Sequence, residues 1–136
     1  MTSTVEYNGD LHTTCTHLLS GTAIETDAPT DNQGRGERFS PTDLLATSLG
    51  TCMITTMGIK ARPLGIDLKG VSIEVLKIMK SDPRRVAGIE LTFHFPPHLE
   101  ALEENHKDFL KQIGLTCPVQ LSIHPEIEVK VNWGSW

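Results

Sequence analysis

Three cysteines, Cys15, Cys52 and Cys117, are the side chains of this sequence best suited to covalent chemistry, because a thiolate is both a nucleophile and a metal ligand. Cys52 falls in the middle of a helical pattern, where the macrodipole contributes little, so a stable thiolate there needs a nearby cation or hydrogen-bond donor. Ser48, Thr55 and Thr56 lie within helical reach and can donate. Cys117 precedes Pro118, and at the N-cap of a short helix the orphan N–H groups would favour a thiolate. The residue types leave two readings open: a reactive pair, or two buried structural thiols, since free cysteine is among the most buried residue types.

Other chemistries find less support. The segment HTTCTH (12–17) resembles a ligand cluster, but on a strand Cys15 and His17 share a face while His12 points the other way. Two ligands on one face are too few, so no metal site is expected, and the remaining histidines show neither HExxH nor CxxC spacing. GRGER (34–38) lacks the Gly-Lys-Ser/Thr ending of a phosphate loop and reads as a plain loop. No GxSxG elbow supports a serine hydrolase.

The elements that must position these groups can be read from turn signals and periodicity. Short β-favouring runs near 3–7, 11–18 and 22–27, separated by Asn8-Gly9-Asp10 and Ser20-Gly21, predict an antiparallel meander. TDAPTDNQGRGE is a loop. Ser40, Pro41 and Asp43 then form a cap, first-turn and capping-box arrangement that opens a helix over about 41–62. Leu45, Leu49, Cys52, Thr56 and Ile59 recur along it, and Gly50 and Gly58 suggest a buried helix packed closely by its neighbours. Strands are predicted at 71–79 and around Ile89–Phe95, joined by a turn at Asp82-Pro83. One amphipathic helix follows, carrying Leu99, Leu102, His106, Phe109, Leu110 and Ile113 and closed by Gly114. A short helix beginning at Cys117-Pro118 and a last strand over 126–133 complete the order β-β-β-α-β-β-α-α-β, an α+β protein with antiparallel sheets. Trp133 and Trp136, read as exposed near the C-terminus, are candidates for an interface, although terminal aromatics are as often simple core contacts.

A length of 136 residues predicts a single domain over 1–136, and 38% hydrophobic with 21% charged residues is an ordinary globular composition. Apolar stretches are interrupted by Thr, Ser, Gly or Lys, short of the roughly 18 residues needed to span a bilayer, so no membrane crossing is expected. A formal net charge of -5 argues against nucleic acid as a partner. The N-terminal residues show no basic and apolar export signal, and an odd cysteine count suits a reducing compartment, so a cytoplasmic location is expected.

The segments FSPTDLLATSLGTCMITTMGI (39–59), the preceding TDAPTDNQGRGE and LTCPVQLSIHPEIEV (115–129) resemble the osmotically inducible protein and organic hydroperoxide resistance (OsmC/Ohr) family. The resemblance covers nearly the whole chain, and the 65-residue separation of Cys52 and Cys117 is close to the family's habit. It implies an OsmC-like α+β fold, with a central cysteine-bearing helix and an intertwined homodimer holding two active sites at the subunit interface. It further implies that Cys52 attacks an organic hydroperoxide and becomes a sulfenic acid, that Cys117 condenses with it to a disulfide, and that a dithiol, a lipoyl protein or small thiol, reduces the pair. No cofactor is implied, and Cys15 has no role in this scheme.

The chain departs from the family's peroxidases at two positions. Those members carry an arginine in the first hairpin, which pairs with the thiolate, and a glutamate ten residues before the helix cysteine. Here the hairpin from Tyr7 to Ser20 contains no Arg or Lys, and position 42 is Thr42. Asp43 lies nine residues before Cys52, about 180° around the helix, and is better explained as a cap. Arg35 and Arg38 in the loop before the helix, acting within the chain or across a dimer, or His17 in the second strand, are the candidate replacements. The alternative function is a non-peroxidase dimer whose interface pocket binds an apolar small molecule, its cysteines serving only to pack.

Overall fold

The computed structural model describes residues 1–136. Strands β1 (Ser3–Gly9), β2 (His12–His17) and β3 (Ala23–Asp27) form one antiparallel sheet in the order β1-β2-β3. A loop over 28–40 leads into helix α1 (Pro41–Ala61). Strands β4 (Ser72–Lys80), β5 (Arg85–His94) and β6 (Glu128–Asn132) form a second sheet with β5 in the middle. Between β5 and β6 run α2 (Pro97–Glu100), α3 (Glu104–Leu115) and α4 (Pro118–Ser122). The chain divides into two compact units, Met1–Leu45 and Ala46–Trp136, with the boundary inside α1.

The predicted start of α1 is present as a reciprocal pair: the Ser40 N–H donates to Asp43 Oδ2 at 2.8 Å, and the Asp43 N–H donates to Ser40 Oγ at 3.1 Å. This closes two of the free amides that every helix start exposes. The buried face of α1 is not the predicted stripe. Ala46, Leu49, Met53, Met57 and Ala61 are buried, at the three- and four-residue spacing of one helix face. Leu45 and Ile59 are exposed and Cys52 is half-buried, so α1 carries a second, outward apolar stripe with the cysteine on it. Gly58 faces open space, contrary to the close packing expected of it, whereas a Cβ on Gly50 would touch Val75, Leu91 and Ile73 at ordinary distances of 3.5–3.7 Å.

By length and composition alone, residues 41–64 would be long and apolar enough to span a bilayer, contrary to the expectation that every apolar stretch is too short. Its apolar side chains instead build the core of the second unit, with Ile89, Leu91 and Phe93 of β5, Leu110 of α3 and Cys117. Burial of this kind supplies most of the stabilisation of a helix in a globular protein.

Three further expectations are corrected. The second sheet is mixed: β4 pairs antiparallel with β5, but β6 runs parallel to β5, with Ile89 opposite Val129 and Leu91 opposite Val131. The helices between β5 and β6 form the crossover that a parallel pair requires. The single amphipathic helix is two, because Glu103 is extended between α2 and α3 while its carbonyl accepts the first α3 amides. Leu99 and Leu110 are buried, and Phe109 is exposed. The two terminal tryptophans pack inward: Trp133 lies 4.6 Å from the Phe93 ring centroid and Trp136 stacks on Phe95 at 3.8 Å.

Candidate functional site

Cys52 is held midway along α1, and Cys117 sits at the N-cap of α4, where Pro118 takes the first helical position. Pro118 has no N–H to lose there and its fixed φ suits a helix start. The Cys117 N–H donates to the Gly114 carbonyl at 3.2 Å, and its carbonyl accepts from Leu121 at 3.1 Å, so the residue is pinned between α3 and α4. The structure places the two thiols near each other, close enough for the Cys52 sulfur to raise the pKa of Cys117.

Cys117 is fully buried and Cys52 half-buried. Burial pushes the Cys117 thiol up from its ordinary value, the adjacent Cys52 sulfur adds to this, and the backbone N–H groups of Gln120 and Val119 draw it partly back. The expectation that the helix start would make Cys117 a thiolate is therefore corrected, because desolvation of a charged sulfur outweighs two amide dipoles. Thr56, expected to donate to the Cys52 sulfur, gives its hydroxyl proton to the Cys52 carbonyl at 2.8 Å, the usual habit of a mid-helix threonine.

Within one chain, the candidate replacements for the missing arginine each hold a partner in the N-terminal unit. Arg38 Nε donates to Glu25 Oε2 at 2.9 Å, and Arg35 Nη2 donates to Asp10 Oδ2 at 3.0 Å. His17 Nδ1 pairs with Ser20 Oγ at 2.7 Å on an exposed turn. Asp43 is the capping carboxylate, as expected, and Cys15 is half-buried beside Thr13 Oγ1 at 3.9 Å.

The sequence reading missed a polar cluster in this unit. His12 Nδ1 lies 2.7 Å from Oδ1 of Asp27, a carboxylate only 3% exposed, whose Oδ2 accepts the Glu37 N–H at 3.2 Å. The His12 hydrogen bond is the main influence holding the Asp27 carboxyl below its usual range. Glu25 is lowered chiefly by Arg38. The signal was the antiparallel register, which sets His12 opposite Asp27.

The OsmC-like protein family profile matches residues 34–132. The chain belongs to the OsmC-like family. Among solved structures, a protein from Psychrobacter arcticus 273-4, provisionally named an osmotic stress induced and detoxification response protein, is 51% identical, with a TM-score of 0.92 over 97% of this chain and 94% of that one. The organic hydroperoxide resistance protein OsmC from Legionella pneumophila has a TM-score of 0.72 at 20% identity, covering 97% and 96% of the two chains. OhrB of Bacillus subtilis has a TM-score of 0.65 at 17% identity, covering 97% of each. The latter two share the OsmC fold with this chain. A search of curated proteins returns no match.

Proposed function

We propose that this OsmC-like protein reduces organic hydroperoxides through Cys52 and Cys117. The observation that carries the reading is the placement of the fully buried Cys117 thiol near the half-buried Cys52 sulfur. The Cys52 thiolate attacks the terminal oxygen of the hydroperoxide, the O–O bond breaks, and the alkoxide leaves with a proton as the alcohol. Cys52 becomes a sulfenic acid. The Cys117 sulfur then attacks Cys52, its thiol proton leaves with the sulfenic hydroxyl as water, and a disulfide forms. A dithiol reductant, a lipoyl group or a small thiol, restores both thiols by exchange. Catalysis belongs to an intertwined homodimer in this reading, supported by the outward apolar stripe of α1.

The test is intact mass of the reduced protein after one equivalent of cumene hydroperoxide, with peptide mapping. Loss of two hydrogens mapped to a Cys52–Cys117 disulfide is the expected result, with Cys52→Ser inert and Cys117→Ser stopping at a sulfenic acid. Oxidation no faster than that of a free thiol would overturn the proposal. One observation favours a second reading in that event: an apolar groove of about 210 Å³, lined by Thr47, Gly50, Thr51, Ile54, Val71, Ile73 and Val75, suits an apolar small molecule.

A further inference from the structure

The N-terminal unit contains a cleft of about 290 Å³ formed by the β1–β2 turn, the end of β3 and the loop 28–40. Its chemistry is unlike that of the thiol pair, and the inference drawn from it is independent of the peroxidase reading. One wall presents carboxylates from Glu25 and Asp27, the turn adds Asp10, and the loop adds Glu37 together with the guanidinium groups of Arg35 and Arg38.

The cleft is built before any ligand arrives. Asp27 is buried and fixes two of its neighbours: His12 through Oδ1, and the loop through the Glu37 N–H on Oδ2. Its own N–H donates to the Phe39 carbonyl at 3.2 Å, while the Ala28 N–H donates to Leu11 and the Gly36 N–H to Ala28. Gly34 lies so close to the Ala28 carbonyl that no side chain fits there. A buried charge placed at the hub of such a network holds the surrounding groups in one geometry.

The charges of the cleft select among ligands. Four carboxylates against two guanidinium groups disfavour a simple anion. A simple cation would leave the guanidinium groups unused, although Arg35 spends one N–H on Asp10, and Arg38 spends two, on Glu25 and the Glu37 carbonyl. Each planar fork has donors beyond these, arranged to bind a carboxylate. A molecule carrying both an ammonium and a carboxylate satisfies both walls.

We propose that the cleft lined by Asp10, His12, Glu25, Arg35, Glu37 and Arg38 binds a small zwitterion of the amino-acid or dipeptide class. The ammonium sits against Glu25 and Glu37, the carboxylate against Arg35 and Arg38, and His12 Nε2, 3.6 Å from Glu25 Oε1, borders the ammonium end.

The test is a titration of the full-length, isotope-labelled protein with glycine and with glycylglycine, followed by amide chemical shifts, with acetate and ethylammonium as single-charge controls. The expected result is saturable shifts confined to Gly9, Asp10 and residues 34–38, with only the zwitterions, in the millimolar range usual for such small polar ligands. Arg35→Gln removes one half of the carboxylate clamp and touches only an exposed ion pair, so the variant keeps its fold and loses affinity by about tenfold. Absence of saturation up to about 50 mM would overturn the proposal. So would equal shifts with acetate alone, shifts located elsewhere, or unchanged binding by a folded Arg35→Gln protein.

Discussion

Two residues carry charge states that solution measurements can read. Cys117 is held neutral by burial, so its thiol titrates above the ordinary value of 9.0 in the folded protein. A group whose folded pKa is raised contributes stability that is complete below its unfolded pKa and is lost as pH rises through the folded one. The urea midpoint of reduced protein should therefore fall from about pH 8 upward, and Cys117→Ala should remove that part of the pH dependence. Iodoacetamide at neutral pH should label Cys52 before Cys117. Asp27 is the opposite case: its carboxyl is lowered by the His12 hydrogen bond, so its contribution is present above the carboxylate range and lost as pH falls through it. Asp27→Asn should be less stable than the parent at pH 7, with the difference closing toward pH 3, as read by denaturant midpoints at the two pH values.

At the scale of elements, local signals were legible and long-range ones were not. Ser40, Pro41 and Asp43 announce α1, and Cys117-Pro118 announces α4, because caps are chemistry between residues three apart. The parallel pairing of β6 with β5, the inward turn of Trp133 and Trp136, and the His12–Asp27 contact depend on partners far along the chain, which periodicity does not report. The buried stripe of α1 was misread because that helix is apolar on two faces, and residue type alone does not say which face meets the sheet. Of the candidate site, Cys52 and Cys117 were legible by type and spacing, whereas the protonated state of Cys117 follows from burial that only packing reveals. Two glycines turn this into a contrast. Gly50 has room for a methyl group against Val75, Leu91 and Ile73, so Gly50→Ala should stabilise by about 0.5–1 kcal/mol through helix propensity. At Gly114 the same methyl would meet Met57 Sδ at 3.1 Å and the Trp133 ring at 3.4 Å, and overpacking of about 1–3 kcal/mol should exceed the propensity gain. Urea denaturation of the two variants should move in opposite directions.

For the molecule as a whole, the N-terminal sheet poses a problem that a single copy does not solve. The register sets Val5 opposite Cys15 and Cys15 opposite Ile24, and Tyr7, two residues on from Val5, lies on the same side. Val5, Tyr7 and Ile24 are 67%, 65% and 49% exposed, and a three-stranded sheet gains independent stability only by covering one apolar face. The outward stripe of α1, with Leu45 and Ile59 exposed beside Cys52, is a second uncovered surface. A homodimer covers such faces symmetrically, each copy presenting the same patch to the other. Light scattering after size exclusion should then give about twice the 15.0 kDa chain mass at micromolar concentration. The double variant Val5→Asp/Tyr7→Asp should shift the mass toward a single chain, since two carboxylates buried in an apolar interface cost far more than the contacts they replace. A parent protein that elutes as a clean monomer would contradict the arrangement, and would leave the exposed Val5, Tyr7 and Ile24 face to be explained by a partner of another kind.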